Sequence, residues 1–361
     1  MPKDAFIPNY RRVADNLRKR IINGSYAIKP IPSERQLATE FGVNFMTVRR
    51  GLHALEKEQL LVRQPNGRMQ VKRIQHGPKR HLNLAFLVPT MISSTVELWR
   101  GAIERATADR PCVVRPMQYM HWDDPILIDS MEGFDGIFLD PVPEELPDPV
   151  KERLSRPQHP VVVIDHDFSG YGIPSIRIFP PLFVQRLLDH LEALGHRRIG
   201  CLNTQPEDSE VRERIDQWRL WMAIHRFCGR LLDSPVQPHG DVVLHGYEAM
   251  NEVLSDTREE TAWLCTTAPT ALGAMRAILD HGLMPGRDLA ICSANGEGIA
   301  SMLNPPLTAL EAMDPTPFVA YCLDWMSNGG PPWQGPLLMQ PAEAPLIIRE
   351  STQPGAGRGL G

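Results

Sequence analysis

Phe45, Met46, Thr47, Arg49 and Arg50 form a group whose chemistry suits a surface better than a core. They share a stretch with Val48, Leu52 and Leu55, whose i, i+4, i+7 spacing predicts one apolar helix face and leaves the five to point elsewhere. Guanidinium groups so presented can grip guanine edges through paired hydrogen bonds, and a helix N-terminus with small polar side chains suits phosphate. Positioning them requires a fixed helix start. Asn44 is a good cap for it, Gly42 ends a preceding helix, and Ser33 with Gln36 three residues on forms a capping box for that first helix. Downstream, residues 60–63 and 68–72 read as two strands around the turn Gln64-Pro65-Asn66-Gly67, in which Asn-Gly supplies positive φ values. Helix, turn, helix and basic hairpin predict a winged helix-turn-helix, whose second helix enters the DNA major groove.

Charge is divided sharply along the chain. The first 80 residues carry a net +11, and the other 281 carry −16, giving −5 over 361 residues. A basic head on an acidic body predicts that the head alone meets nucleic acid. The six cysteines are scattered without a Cys-x-x-Cys pair, and several lie in apolar runs, which predicts buried free thiols. No secretory signal or membrane-length apolar run is evident, so a cytoplasmic protein is expected. No Gly-x-Ser-x-Gly, Walker or His-Glu-x-x-His pattern occurs, so no catalytic residue is assigned. The twelve histidines lack metal-ligand spacing on a convincing helix, and Met117 and Met120 read as core filler. No metal or cofactor is expected.

Taken in order, Val13, Leu17 and Ile21 predict a helix over 10–23, with Arg11, Arg12, Arg18, Lys19 and Arg20 on its solvated side. Together with YRRVADNLRKRIINGSY, the segments IPSERQLATEFGVN and MTVRRGLHALEKEQLLVRQPNGRMQV resemble the DNA-binding domain of GntR-family repressors over about residues 8–73. The resemblance implies DNA contacts from Arg35, from Asn44, Phe45, Met46 and Thr47 at the helix start, from Arg49 beside Arg50, and from Asn66, Gly67 and Arg68 in the wing. The family commonly has a polar residue and then Arg at the Phe45-Met46 pair; here these apolar groups either meet thymine methyls or pack. Residues 73–81 read as a basic linker.

From residue 82 apolar runs alternate with helical patterns. Strands are predicted at 82–88, 112–116, 136–139, 161–164, 198–202, 262–265 and 289–293. Helices are predicted at 95–108, 149–153, 181–194, 211–227, 246–254 and 269–280. This α/β rhythm predicts parallel sheets covered on both faces, and its length predicts two lobes. The segments HLEALGHRRIGCLN, VRERIDQWRLWM, TAWLCTTAPTALGAMRAILDHGL, LAICSAN and PLIIREST resemble the effector domain of the LacI family, which is related to periplasmic binding proteins. A GntR-type head on such a body resembles arabinose-responsive repressors of bacilli. The resemblance implies two lobes joined by three crossings over residues 82–352, a small-molecule effector between them, a homodimer, and a palindromic double-stranded operator. It places Arg214 against the effector, with Trp218 one helical turn on; a surface ion pair with Glu210 or Glu213 is the competing role for Arg214.

Thr267, Asn295, His166 and Val242 are further lining candidates, His166 and Val242 being equally suited to packing. Ser93, Ser94 and Thr95 sit at a helix start after a strand, where open α/β sheets bind ligands. Thr267-Ala268 stands where the family has Asn-Asp, Asn295 where it has aspartate, and Ile178-Phe179 where it has Asp-Asn. Carboxylates suited to sugar hydroxyls are therefore expected to be missing, which argues against a simple pentose or hexose. Residues 353–361 read as a disordered tail. The reading is a ligand-responsive transcription regulator, a repressor. Its rivals are a regulator whose body is a ligand-free dimerisation scaffold, and a DNA-binding head fused to an enzyme. The enzyme would need a Schiff-base lysine, and after Lys79 the chain has only Lys151.

Overall fold

The computed structural model describes residues 8–22, 26, 30–58, 60–64, 67–71, 81–90, 94–156, 158–256, 259–330 and 332–353. The head consists of α1 (Asn9–Ile22), α2 (Glu34–Phe41), α3 (Phe45–Lys57) and a hairpin of β1 (Leu61–Arg63) and β2 (Met69–Val71). Its turn chemistry follows the residue types. Ser33 Oγ accepts from the Gln36 backbone N–H at 3.3 Å, and Gln36 Oε1 accepts from the Ser33 N–H at 2.9 Å. Gly42 closes α2 at φ +60, a left-handed conformation natural to glycine, and Asn44 Oδ1 accepts from the Met46 N–H at 2.8 Å. Leu17, Leu37, Val48, Leu52, Leu55 and Leu61 fill the head's core, each stabilising it by about 2 kcal/mol on burial. At Gly51 α1 crosses α3 closely, since a Cβ there would lie 3.1 Å from the Tyr10 carbonyl oxygen. Two helix-one cations are committed inside the head: Arg18 pairs with Glu58 at 2.7 Å and Arg20 with Glu40 at 2.6 Å.

The body begins with β3 (Leu82–Pro89), α4 (Ser94–Thr107), β4 (Cys112–Tyr119), α5 (Pro125–Gly133), β5 (Gly136–Leu139), α6 (Asp148–Ser155), β6 (Val161–Ile164) and β7 (Ser175–Ile176). It continues with α7 (Val184–Ala193), β8 (Ile199–Asn203), α8 (Ser209–His225), β9 (Leu231–Asp233), α9 (Val242–Ser255), β10 (Ala262–Cys265), α10 (Ala268–Asp280), β11 (Ala290–Ser293) and β12 (Thr308–Leu310). It ends with α11 (Thr316–Ser327), β13 (Leu338–Met339) and β14 (Leu346–Ile347). Two six-stranded sheets result, ordered β13-β7-β6-β5-β3-β4 and β14-β12-β11-β10-β8-β9. The first is wholly parallel; in the second, β14 alone runs antiparallel. The chain passes between lobes three times, at 177–180, 311–315 and 340–345. As a result α11 packs on the first lobe although it follows the second in sequence.

Apolar strands such as VVVI and AWLC are buried at every residue because helices cover both faces of each sheet. The sequence reading misses β7, β9, β12, β13 and β14, each only two or three residues long and too short to show a period. It also misses α5 and α11. Helices α8 and α9 begin earlier than their periodicity suggests because Asp208 and Asp241 cap them, accepting from the Glu210 N–H at 2.6 Å and the Leu244 N–H at 2.9 Å. Cys201, Cys265, Cys292 and Cys322 are buried thiols, whereas Cys228 is exposed; Met120 is also exposed rather than core filler. The expected linker (except His81) and tail (except Gln353) lie outside the described residues. No helix among the described residues is long and apolar enough to cross a membrane.

Candidate sites: an outward helix face and an inter-lobe cleft

On α3, burial of Val48, Leu52 and Leu55 against α1 and β1 turns the opposite side outward. Arg49 and Arg50 are exposed, Thr47 is half-buried, and Arg35 on α2 is exposed nearby in the chain. Phe45 and Met46 are 38% and 53% exposed, so they are presented rather than packed. Asn44 spends its side-chain oxygen on capping the helix. In the wing, Gly67 holds φ +80 and its carbonyl accepts from Arg63 at 3.2 Å, with Arg68 exposed next to it. Asn66 lies outside the described residues.

In the body, a cleft of about 630 Å³ opens where the carboxyl ends of both parallel sheets face each other, the usual ligand position in open α/β sheets. Thr90, Asp140 and Asp165 follow β3, β5 and β6, three adjacent strands of the first lobe. Opposite them stand Thr267 after β10, Asn295 after β11, and Asp208, Glu210 and Arg214 around the start of α8. Three ion pairs, made by two cationic residues, tie the lobes across this opening. His166 Nε2 meets Asp208 Oδ2 at 2.7 Å, and Arg177 Nη1 reaches Glu210 at 3.1 Å and Glu213 at 3.0 Å.

Burial opposes the Asp208 charge, yet the His166 charge and hydrogen bond outweigh it and hold its pKa at about 2. Burial likewise opposes the imidazolium of His166, but Asp208 and then Asp140 raise it to about 10. Glu210 is raised to about 7, chiefly by burial, with Arg177 resisting. Burial also raises Asp165, and it lifts Asp140 well above the ordinary carboxyl range, with the neighbouring Asp165 adding to it.

The cleft gathers Arg214, Thr267, Asn295, His166, Thr95 and Val242. Arg214 is buried and donates to the Thr266 carbonyl at 2.9 Å; its rival role in a surface ion pair fails because Arg177 takes Glu210 and Glu213. Asn295 Oδ1 accepts from the Ala268 N–H at 3.1 Å, which aims its amide nitrogen elsewhere, and Thr267 Oγ1 accepts from Gln205 at 2.7 Å. Trp218 is a correction. One helical turn beyond Arg214 it faces the second lobe's core, where its indole N–H donates to the Ile199 carbonyl at 3.2 Å. Ser93 and the Ser94 side chain lie outside the described residues.

The expected loss of carboxylates is also corrected. Asp140, Asp165, Asp208, Glu210, Asp241 and Glu297 line the cleft, supplied from positions other than those compared by sequence. A signal for two of them exists: an acid directly after an apolar strand, as in IFLD and VVVID. Asp165, His239 and Glu297 adopt φ +61, +68 and +46, so three of the four non-glycine residues with positive φ among those described line the cleft. Such backbone costs about 1–3 kcal/mol at each position and gathers where ligands are held.

Asp189, Glu192 and His225 are the one group among the described residues with metal-ligand proximity. All three are engaged otherwise: Asp189 accepts from the Trp221 indole, Glu192 from Arg197, and His225 stacks on Trp221 at 3.9 Å. Lys151 holds its ammonium 4.3 Å from the Tyr171 ring, and it does not line the cleft.

Comparison with known proteins matches the head and the C-terminal part of the body separately. The profile "Bacterial regulatory proteins, gntR family" matches residues 9–71, and "Periplasmic binding protein-like domain" matches residues 188–352. The lactose operon repressor of Escherichia coli strain K12 is 30% identical over 126 residues, covering 34% of this chain and 33% of that protein. The repressor CytR of the same strain is 26% identical over 164 residues, or 45% of this chain and 46% of its own. The chain thus spans between a third and a half of the length of these curated relatives. A lac repressor dimer solved with operator and the anti-inducer ONPF superimposes with a TM-score of 0.61 at 20% identity, covering 76% of this chain and 95% of that one. This last likeness establishes the fold.

Proposed function

Because the chain joins a GntR-type helix-turn-helix domain to a periplasmic-binding-protein-like domain homologous to that of LacI-family repressors, we propose that it is a ligand-responsive DNA-binding transcription regulator, acting as a repressor in the cytoplasm. Residues 1–72 form the DNA-binding unit, 73–81 the linker, 82–352 the effector-binding body and 353–361 a tail. Two copies pair so that their α3 helices occupy the half-sites of a palindromic double-stranded operator. A small polar molecule enters the cleft and shifts the balance between arrangements of the lobes, and with it the spacing of the heads. Such a ligand acts only through unequal contacts with the two states. The His166–Asp208 and Arg177–Glu210 pairs are the contacts on which those states would differ.

The observation that carries this reading is the pairing of an outward, basic α3 face with a charged cleft on the ligand-binding edge of two parallel sheets. A cleft lined by six carboxylates among the described residues favours a ligand-binding body over a ligand-free scaffold. Gel retardation with a selected operator tests the DNA half. Arg49→Ala should weaken retardation by at least about tenfold, the range of one lost bidentate base contact, while the circular dichroism spectrum stays unchanged. Equal retardation by parent and variant would remove α3 from the DNA.

A further inference from the structure

We propose that the cleft's ligand is a cation, a polyhydroxylated amine of one or two rings whose ammonium sits between Asp140 and Asp165. This rests on the regulator reading and deepens it by naming the ligand's chemical class. Among the described residues the lining holds six carboxylates, but Arg214 is its one guanidinium. His166 is bound to Asp208 through Nε2, Arg177 answers Glu210 and Glu213 from outside the lining, and Asp241 caps α9. The Arg214 guanidinium gives one nitrogen to the Thr266 carbonyl.

Asp140 and Asp165 then stand at the ends of adjacent strands; Thr95 hydrogen-bonds Asp165, whereas Asp140 is left with an incomplete share of positive charge. His166 Nδ1 stands 3.8 Å from Asp140 Oδ1, beyond hydrogen-bond distance. A buried carboxyl beside a half-buried one is costly unless a cation or a proton joins them.

An independent observation points to a ligand. Glu210 is 6% exposed and lines the cleft, yet its Oε2 has no hydrogen-bond partner; His166 Nδ1 is also buried and unpartnered. The first atom needs a donor, and the second, as imidazolium, needs an acceptor. A hydroxyl offers both. Phe179 presents a phenyl ring to the cleft, and Pro89, Pro141, Pro206 and Pro269 present rigid aliphatic faces suited to the C–H face of a saturated ring. Phosphorylated or carboxylated ligands would bring negative charge to a site already rich in it.

Calorimetric titration of the full chain tests this with matched probes: 2-amino-2-deoxyhexoses and amino disaccharides, their N-acetylated forms, the parent sugars and the hexose phosphates. At least one free amine should bind at least about tenfold more tightly than its acetylated and hydroxyl counterparts, which corresponds to about 1.4 kcal/mol, and the phosphates should not bind. Asp140→Asn should erase most of that preference. A neutral or phosphorylated probe binding as tightly as its amine would overturn the proposal, and so would failure of every amine to bind. In both cases operator binding by the same sample, measured in parallel, shows whether the regulator reading itself survives.

Discussion

Replacing Asp208 by asparagine isolates the contact that ties the lobes. Asparagine keeps an oxygen to cap α8, where Asp208 accepts from the Glu210 N–H at 2.6 Å, so helix capping is preserved. What is lost is the charge facing His166 across 2.7 Å. Holding a carboxyl at about 2 instead of 3.8 corresponds to roughly 2 kcal/mol. Removing one partner of a buried pair generally costs about 3–5 kcal/mol because the other charge is stranded. The expected loss is thus between about 2 and 5 kcal/mol, or roughly 4–15 °C in the melting midpoint of a body this size. Urea unfolding of the full chain followed by tryptophan fluorescence measures it, since Trp99, Trp218 and Trp263 are buried in the body. A double-mutant cycle with His166→Gln should give a coupling of at least about 1 kcal/mol. A variant within about 0.5 kcal/mol of the parent, or a coupling near zero, would refute the inter-lobe pair.

Three further outcomes follow from the same geometry. His166 is protonated more readily in the folded chain, so its contribution is complete below 6.5 and lost as pH rises through about 10; the urea midpoint should fall between pH 6.5 and 10 in the parent and stay flatter in His166→Gln. Leu52 is fully buried in the head, and Leu52→Ala should cost about 2–5 kcal/mol; operator binding should disappear while the body's thermal transition is unmoved, and a single shared shift would mean the units are not independent. At Gly273 a Cβ would sit 2.0 Å from the Val243 carbonyl oxygen, where α10 crosses α9, so Gly273→Ala should destabilise the body by at least about 1–3 kcal/mol in the same urea assay; an unchanged midpoint would contradict that crossing.

The head is legible in sequence because its signals are local. Ser33, Gln36, Gly42 and Asn44 act within three or four residues of themselves, and Val48, Leu52 and Leu55 repeat at helical spacing. The apolar strands of the body are legible for the same reason. The cleft is much less so. His166 and Asp208 are 42 residues apart in sequence and meet through the way two lobes face each other, which no spacing encodes. Trp218 keeps helical register with Arg214, yet the turn from Arg214 to Trp218 rotates it toward the core. The family resemblance points to carboxylates at other positions, whereas Asp140 and Asp165 are announced by strand ends. Strands β7 and β13 depend on crossings distant in sequence, since Ser175 pairs with Leu338.

The central claim, that this chain reads DNA under the control of a cleft-bound molecule, is tested most directly by selecting operators from random duplex DNA with the full chain. Fluorescence anisotropy on the selected site is then compared with and without a cleft-binding amine. The account predicts a palindromic consensus, bound with a dissociation constant that falls steeply in tightness as salt rises and changes several-fold when the amine is added. That change should vanish in Asp140→Asn. Selection that yields no consensus, or an operator affinity indifferent to a ligand shown to occupy the cleft, would contradict it.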